Sequence, residues 1–312
     1  VSHACVTNVT QRTDPTKTLE VRQNFLQDIR GRFRRVSGVI RRTVGYENDA
    51  FDLAGNKIDA PEAYDFPTDR QKIQAFIDDL KEWINSEILE PANMAELREG
   101  RHWTSEYVRN AYVMSAKATK GRLMQEGLSV DNPPASELLT IRTSVKTLRD
   151  LYTRTYENLK DITDDMAGTI RQELTRGFAE GENPKKIARR LTDELKDLQR
   201  TRAETLARTE TINAATQATL DEYEKVDVDV VSHGEWQTAA DSRVCPFCRR
   251  VGGEVFTLSE FRANHAIEFR GQVYRLAPPS HVNGRCAVLP SIGTDSDDLA
   301  PLEERVPGEL IT

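Results

Sequence analysis

Apolar residues return at helical spacing through most of this chain. Between Leu19 and Val44 they fall at Phe25, Leu26, Ile29, Phe33, Val36, Ile40 and Val44. At about 100° per residue these occupy one arc, which predicts an amphipathic helix. The opposite side carries Arg30, Arg32, Arg34, Arg35, Arg41 and Arg42, a run without a single acid. A second stripe, Ile73, Phe76, Ile77, Leu80, Trp83, Ile84 and Ile88, predicts a helix capped at Thr68 or Asp69 and ended by Pro91. A third helix is expected from Trp103 to Gln125, closed by Gly127. After the Asp131-Asn-Pro-Pro134 break, Ser136 is the expected cap of a long periodic stretch from Leu138 to Phe178, one helix or two in tandem. Such a stripe needs a neighbour: the preceding helices, another copy or another protein. Beyond Gly181-Glu-Asn-Pro184, a short helix is expected over Lys185–Leu195 and a longer one over Arg200–Lys225.

The pattern then changes period. Val226 to Gln237 alternates as a strand does, Glu254–Thr257 reads as extended, and Ile267–Leu276 reads as a hairpin about Arg270-Gly271. The fold class expected is α+β, an elongated, mainly helical N-terminal and central region followed by a small β-rich Cys/His module. The segments are a flexible arm over 1–18, a helical region over 19–134, a long-helix part over 135–225, the module over 226–292 and an acidic tail over 293–312.

Composition sharpens this picture. Charged residues make up 30 % and the hydrophobic set 38 %, polar for a compact globule, so surface buried against a partner is expected. No stretch approaches the roughly 20 apolar residues that span a bilayer, and no signal-peptide core lies near Val1. A soluble protein, intracellular where it is made and without a membrane partner, is expected. The net charge of −7 argues against a general nucleic-acid coat. The charge is segregated, with six acids against Arg305 alone from Asp295 onward. The arginine face, above all Arg30, Arg34, Arg35, Arg41 and Arg42, is a candidate contact for phosphate or an acidic protein, set against a plain solvated face.

The chemistry gathers at the cysteines. Cys245-Pro-Phe-Cys248 is a C-x₂-C knuckle, whose two thiolates can bind one tetrahedral ion. His281-Val-Asn-Gly-Arg-Cys286 supplies an imidazole and a third thiol, and Pro278-Pro279 and Gly284 keep that loop from turning helical. Cys245, Cys248, His281 and Cys286 together form a Cys₃His set suited to structural zinc. The alternative is a group of buried thiols with a redox pair at Cys245 and Cys248. Trp236 is expected as a core anchor. Asp241 is expected to cap the knuckle turn through its carboxylate. Arg208 and Glu210, two apart on a helix, each reach a different neighbour or lie on a polar face.

These residues sit in a longer ordered pattern. It runs through Gly181-Glu-Asn-Pro-Lys-Lys-Ile-Ala-Arg-Arg-Leu191, Ala207-Arg-Thr-Glu-Thr211, Trp236, Asp241-Ser-Arg-Val-Cys-Pro-Phe-Cys248, Gly252-Gly253, and Pro278-Pro-Ser-His281 with Arg285-Cys286. The pattern resembles the phage Mu F-like head morphogenesis family of tailed viruses over about residues 165 to 290. Asn283-Gly-Arg-Cys stands where that family commonly has N-C-R-C, so one family Cys position holds Gly284. The resemblance implies a minor capsid protein of the virion, acting in head assembly and in genome packaging or delivery. It implies a place at the portal vertex or head interior, after assembly in the host cytoplasm. Implied partners are portal protein, major capsid or scaffolding protein, and genomic DNA, with copies arranged around the portal.

Enzyme signatures are sparse. No G-x-x-x-x-G-K-[ST], H-E-x-x-H or G-x-S-x-G occurs, and the sequence predicts no enzyme. An HNH-type nuclease would draw on Asn264-His265 and His281-Val-Asn283, with His233 as a further histidine. An ADP-ribosyltransferase would need Glu222-Tyr-Glu224 on a strand rather than at a helix end. A DNA-binding regulator would rest on the arginine helix.

Overall fold

The structure, a computed structural model, describes residues 14–46, 68–226, 231–239, 241–292 and 299–311. It is mainly helical, with small antiparallel sheets near the C-terminal end, as the change of period predicts. The helices are α1 (Leu19–Ile40), α2 (Asp69–Ile84), α3 (Met94–Arg98), α4 (Trp103–Gln125), α5 (Ala135–Leu138), α6 (Arg142–Ala179) and α7 (Pro184–Tyr223). Then follow β1 (His233–Gln237), α8 (Pro246–Val251), β2 (Val255–Thr257), α9 (Leu258–Ala263), β3 (Ala266–Phe269), β4 (Gln272–Arg275), β5 (Ala287–Ser291), α10 (Leu302–Arg305) and β6 (Glu309–Ile311). Among the described residues, no helix is long and apolar enough to cross a membrane.

Two compact units interleave along the chain, so segments contiguous in sequence are not the units of packing. One contains residues 25–97 and 153–206. It buries Phe25, Ile29, Phe33, Val36, Ile40 and Val44 of the first stripe, together with Leu159, Met166, Ile170 and Leu174 of the long one. Within this unit the long stripe is therefore intramolecular core. Gln199 Nε2 donates to the Phe33 carbonyl at 3.1 Å, joining α7 to α1. Lys81 and Arg202 meet Asp164 and Asp165 of α6 at 3.4 and 2.8 Å.

Three local readings change here. The two helices expected over 185–225 are one continuous helix, Pro184–Tyr223. Nothing between Leu195 and Arg200 breaks a helix, and Lys196–Asp193 and Arg200–Asp197 pair one turn apart across the join. The stretch after Pro134 is a single turn, α5, then the 38-residue α6, and the cap of α5 is Pro134 rather than Ser136. The second helix runs past Ile84 into a π-helical turn, Asn85–Leu89, before Glu90 takes a left-handed conformation.

The other unit contains residues 1–24, 98–152 and 207–312. Its sheets are β2-β1-β5 and β4-β3-β6, all antiparallel. Arg270 and Gly271, both at positive φ, make the two-residue turn of the β3–β4 hairpin. Two chain ends differ from expectation. Asp14–Thr18, read as part of a flexible arm, forms a built turn whose Asp14 carboxylate accepts from Leu19 N at 2.8 Å, and Arg122 donates to the Pro15 carbonyl. Residues 1–13 lie outside the described residues. Within the segment read as an acidic tail, β6 pairs with β3. Arg305 anchors it, donating to the Val255 carbonyl and to the Glu260 carboxylate and lying 5.2 Å over the Phe256 ring. A strand of three residues with one acid carries too little alternation to be read from sequence. The loop expected over 45–67 and the strand start at 226 fall mostly on residues 47–67 and 227–230, also outside the described residues.

Inside this unit the α4–α7 seam is polar. Lys120, 3 % exposed, meets the fully buried Glu222 carboxylate at 2.8 Å, and Lys225 pairs with its other oxygen at 2.7 Å. Asp221 accepts from Tyr112, from Thr147 at 2.9 Å and from Arg262 at 2.6 Å. Removing one member of a buried pair leaves an uncompensated charge. Replacing Lys120 with Met should therefore cost roughly 3 kcal/mol in urea unfolding, whereas replacing Lys120 and Glu222 together by Met should recover most of that loss.

Candidate metal centre

The site grows from two loops. Cys245 is the N-cap of α8, with Pro246 in its first turn, so the knuckle starts a helix and Cys248 lies one turn in. The Cys248 amide donates to the Cys245 sulfur at 3.2 Å. This amide-to-sulfur bond favours a thiolate or a metal-bound sulfur. The second loop follows β4, passes the cis Pro278–Pro279 peptide and delivers His281. His281 Nδ1 lies 2.7 Å from the Val282 carbonyl, which fixes the Nδ1–H tautomer and leaves Nε2 as the donor atom. Among the described residues, the group able to hold a metal ion is Cys245, Cys248 and His281, their ligand atoms within 4.8 Å of one another.

Cys286 stands beside this group rather than inside it. Its side chain is hydrogen-bonded to Cys248, and Ser280 Oγ lies 3.4 Å from the Cys248 sulfur. Cys286 immediately precedes β5, whose register against β1 pairs Gln237 with Ala287, so the strand limits how far the thiol can move toward Cys245.

The thiols do not ionise alike. Burial pushes Cys245 up to about 11. The hydrogen bond to Cys286, then burial, raises Cys248 further. Cys286 is lowered, first by that same bond and also by the Trp236 indole. The Cys248 hydrogen bond raises His281. A half-buried and a buried thiol this close resist double ionisation unless a cation sits between them. The donor set, soft sulfurs with a tautomer-fixed imidazole, fits a tetrahedral ion with nitrogen and sulfur ligands.

The supports are now visible. The Asp241 carboxylate accepts from Arg243 N at 2.9 Å, the turn-capping role expected of it. It also receives both arms of Arg285 at 2.6 and 2.7 Å, tying the knuckle to the loop that carries Cys286. Trp236 is a core anchor, packed against Phe247, Phe256 and Phe261. Phe247, between the two knuckle cysteines, stacks on Tyr274 at 4.3 Å, and Tyr274 meets the His281 ring edge-on at 5.7 Å. Arg208 donates to the Asn283 side chain at 3.3 Å, and Thr209 accepts from the Asn283 amide at the same distance. Helix α7 thus braces the loop between His281 and Cys286. Glu210 is 1 % exposed, which removes the solvated-face reading for it. Gly284 is tightly enclosed: a Cβ there would sit 3.1 Å from the His281 carbonyl and 3.2 Å from Pro279 Cβ.

Other sequence candidates take other places. Arg32 bridges Asp28 and Glu90, and Arg35 donates to the Glu87 carbonyl at 2.6 Å, so both brace the π-helical turn. Arg34 donates to the Arg30 carbonyl, and Arg41 to Thr192 Oγ1 at 3.4 Å. Arg34, Arg41 and Arg42 are exposed, and Arg30 is partly so. Asn264 Oδ1 accepts from Ala277 N at 2.8 Å, a structural use of a residue in the nuclease reading. His233 is fully buried beside Ser232, while His265 is exposed. Sequence reasoning missed Arg285 as the partner of Asp241, Asn283 as the partner of Arg208 and Thr209, Ser280 as a neighbour of the Cys248 sulfur, and Lys120 altogether. An arginine adjoining a cysteine was the one available signal.

Residues 168–289 match the family model described as Phage Mu protein F like protein. Over that stretch the resemblance read from the motifs holds, and the chain carries a Mu F-like segment. The match spans less than half of the chain and takes in both metal half-sites. No curated protein and no solved structure matches the chain.

The Asp241–Arg285 bond sets a pH dependence. That bond, first, holds the Asp241 carboxyl well below the usual carboxylate range. A depressed folded value gives stability that is present above the unfolded value, about 3.9, and is lost as pH falls through the folded one. Urea unfolding of chelator-treated protein should show wild type more stable than Asp241→Asn at neutral pH, the gap closing below about pH 4. A gap that stays constant down to the acid limit contradicts the assignment.

Proposed function

We propose that this chain is a minor capsid protein of a tailed virus, built into the head at the portal vertex or head interior and acting in assembly and in genome packaging or delivery. The observation that carries the reading is the Mu F-like segment folded around one metal-capable group. Its role is assembly rather than catalysis. The partners are portal protein with major capsid or scaffolding protein. The exposed arginines Arg34, Arg41 and Arg42 offer a contact for genomic DNA or an acidic partner surface. Purified virions should contain the protein at a few copies per particle by quantitative mass spectrometry, and it should co-purify with portal protein. Absence from virions, or divalent-metal-dependent DNA cleavage by the purified protein, would overturn the reading. Replacing Arg34 and Arg41 by Glu should weaken DNA or portal binding and flatten its salt dependence.

In this reading the metal is structural zinc, held by Cys245, Cys248 and His281, with Cys286 as the fourth ligand after a small shift. Structural zinc contributes on the order of 10 kcal/mol to small metal modules. Elemental analysis should find near-equimolar zinc, and chelation should lower the melting temperature. An unchanged melting curve in metal-free protein contradicts zinc and leaves buried thiols.

A further inference from the structure

A second concavity, in the unit that holds the sulfur cluster, shares no residue with it. This cavity, about 340 Å³, is walled by the end of α3, by α4 and by the start of α6. Arg98, Arg109 and Arg149 line it, with Tyr152. Its one acid, Glu99, lies 2.8 Å from Arg101 and is already paired. Three guanidinium groups and a single carboxylate line this one hollow, in a chain whose net charge is −7.

Arg109 is built into place. Its Nε donates to the Tyr152 hydroxyl at 3.1 Å, its Nη2 donates to the Gly100 carbonyl at 2.9 Å, and its guanidinium lies 5.8 Å from the Tyr152 ring centroid. These two bonds use two of the five guanidinium N–H groups. Gly100 makes the arrangement possible. It has a φ of +69°, and a Cβ there would fall 2.6 Å from Arg109 Nη2 and 2.7 Å from the Tyr152 ring. A preorganised arginine loses little conformational freedom when a ligand arrives.

We propose that this cavity binds a phosphate ester of nucleotide size, either a free nucleotide or one nucleotide of a nucleic-acid strand. Planar guanidinium forks match phosphoryl oxygens in pairs, and three of them suit a group with three or four oxygens better than a two-oxygen carboxylate. The volume reaches the lower end of organic-ligand pockets, about 300 to 1,000 Å³, and exceeds what a bare phosphate fills. Leu139, Val145 and Leu148 supply an apolar wall for the sugar or base. The site does not depend on the arginines of α1, which belong to the other unit.

The test uses the full chain at low salt with three probes: dAMP, a fluorescein-labelled single-stranded oligonucleotide of about 12 nucleotides, and a polyglutamate peptide. Arg98 and Arg149 are exposed, so Arg98→Ala and Arg149→Ala should keep the wild-type melting temperature. Each should weaken binding about tenfold, with a shallower salt dependence. Binding of dAMP and oligonucleotide alike assigns a free nucleotide or strand end, whereas binding of the oligonucleotide alone assigns a strand, and both outcomes support the site. The proposal is overturned if neither binds, if both variants bind as wild type does, or if polyglutamate competes as well as dAMP.

Discussion

Two loops separated by 32 residues must bring sulfur and nitrogen donors to one point, and much of the C-terminal architecture serves that closure. Crowded thiols oppose ionisation in a partly buried setting, so the loops cannot rely on the donors themselves to hold them. The two-armed bond between Asp241 and Arg285 draws the loops together with charges that do not belong to the donor set. Aromatic packing beneath them fixes the angle. Phe247 sits inside the knuckle, rests on Tyr274 and touches Trp236, so the turn that carries the cysteines grows out of the hydrophobic core.

The core itself is shared. Leu123 of α4 and Leu220 and Tyr223 of α7 pack in the same cluster as Trp236, Phe256 and Ile267. The β-rich part is therefore not a small independent module. Its apolar interior is completed by helices from two distant stretches of sequence, and the polar seam of Lys120, Asp221 and Glu222 lies between those helices. Such a seam fixes how α4 and α7 sit against each other, since charged partners tolerate far less sliding than methyl groups.

Much of this was legible in the chain. The stripe from Phe25 to Val44 is buried almost without exception, because large apolar residues at helical spacing leave one way to pack. The hairpin at Arg270-Gly271 and the knuckle with its distant His281 could be read from spacing alone. Other features could not. The charged stretch between Leu195 and Arg200 looks like a connector, yet charge does not break a helix, and Gln199 is needed against the Phe33 carbonyl. Cys286 reads as an equal fourth donor, but strand register, which spacing does not reveal, sets it to one side. Nothing in the sequence marks Asp221 and Glu222 as a buried charged pair, because their partners Tyr112, Lys120 and Arg262 lie about a hundred residues before and forty after them.

The strand β6 closes the edge of β3, and Arg305, which anchors it, meets a Glu260 that lies 45 residues earlier in the chain. Until Arg305 reaches Glu260, β3 presents unpaired amides and carbonyls on that edge, a template for joining other chains. Because β6 follows β3 in the chain, synthesis leaves a short interval in which that edge is adhesive, and pairing of β6 ends it. A protease nick between β5 and β6 would reopen the same edge, so the sheet reports whether the chain linking those two strands is intact.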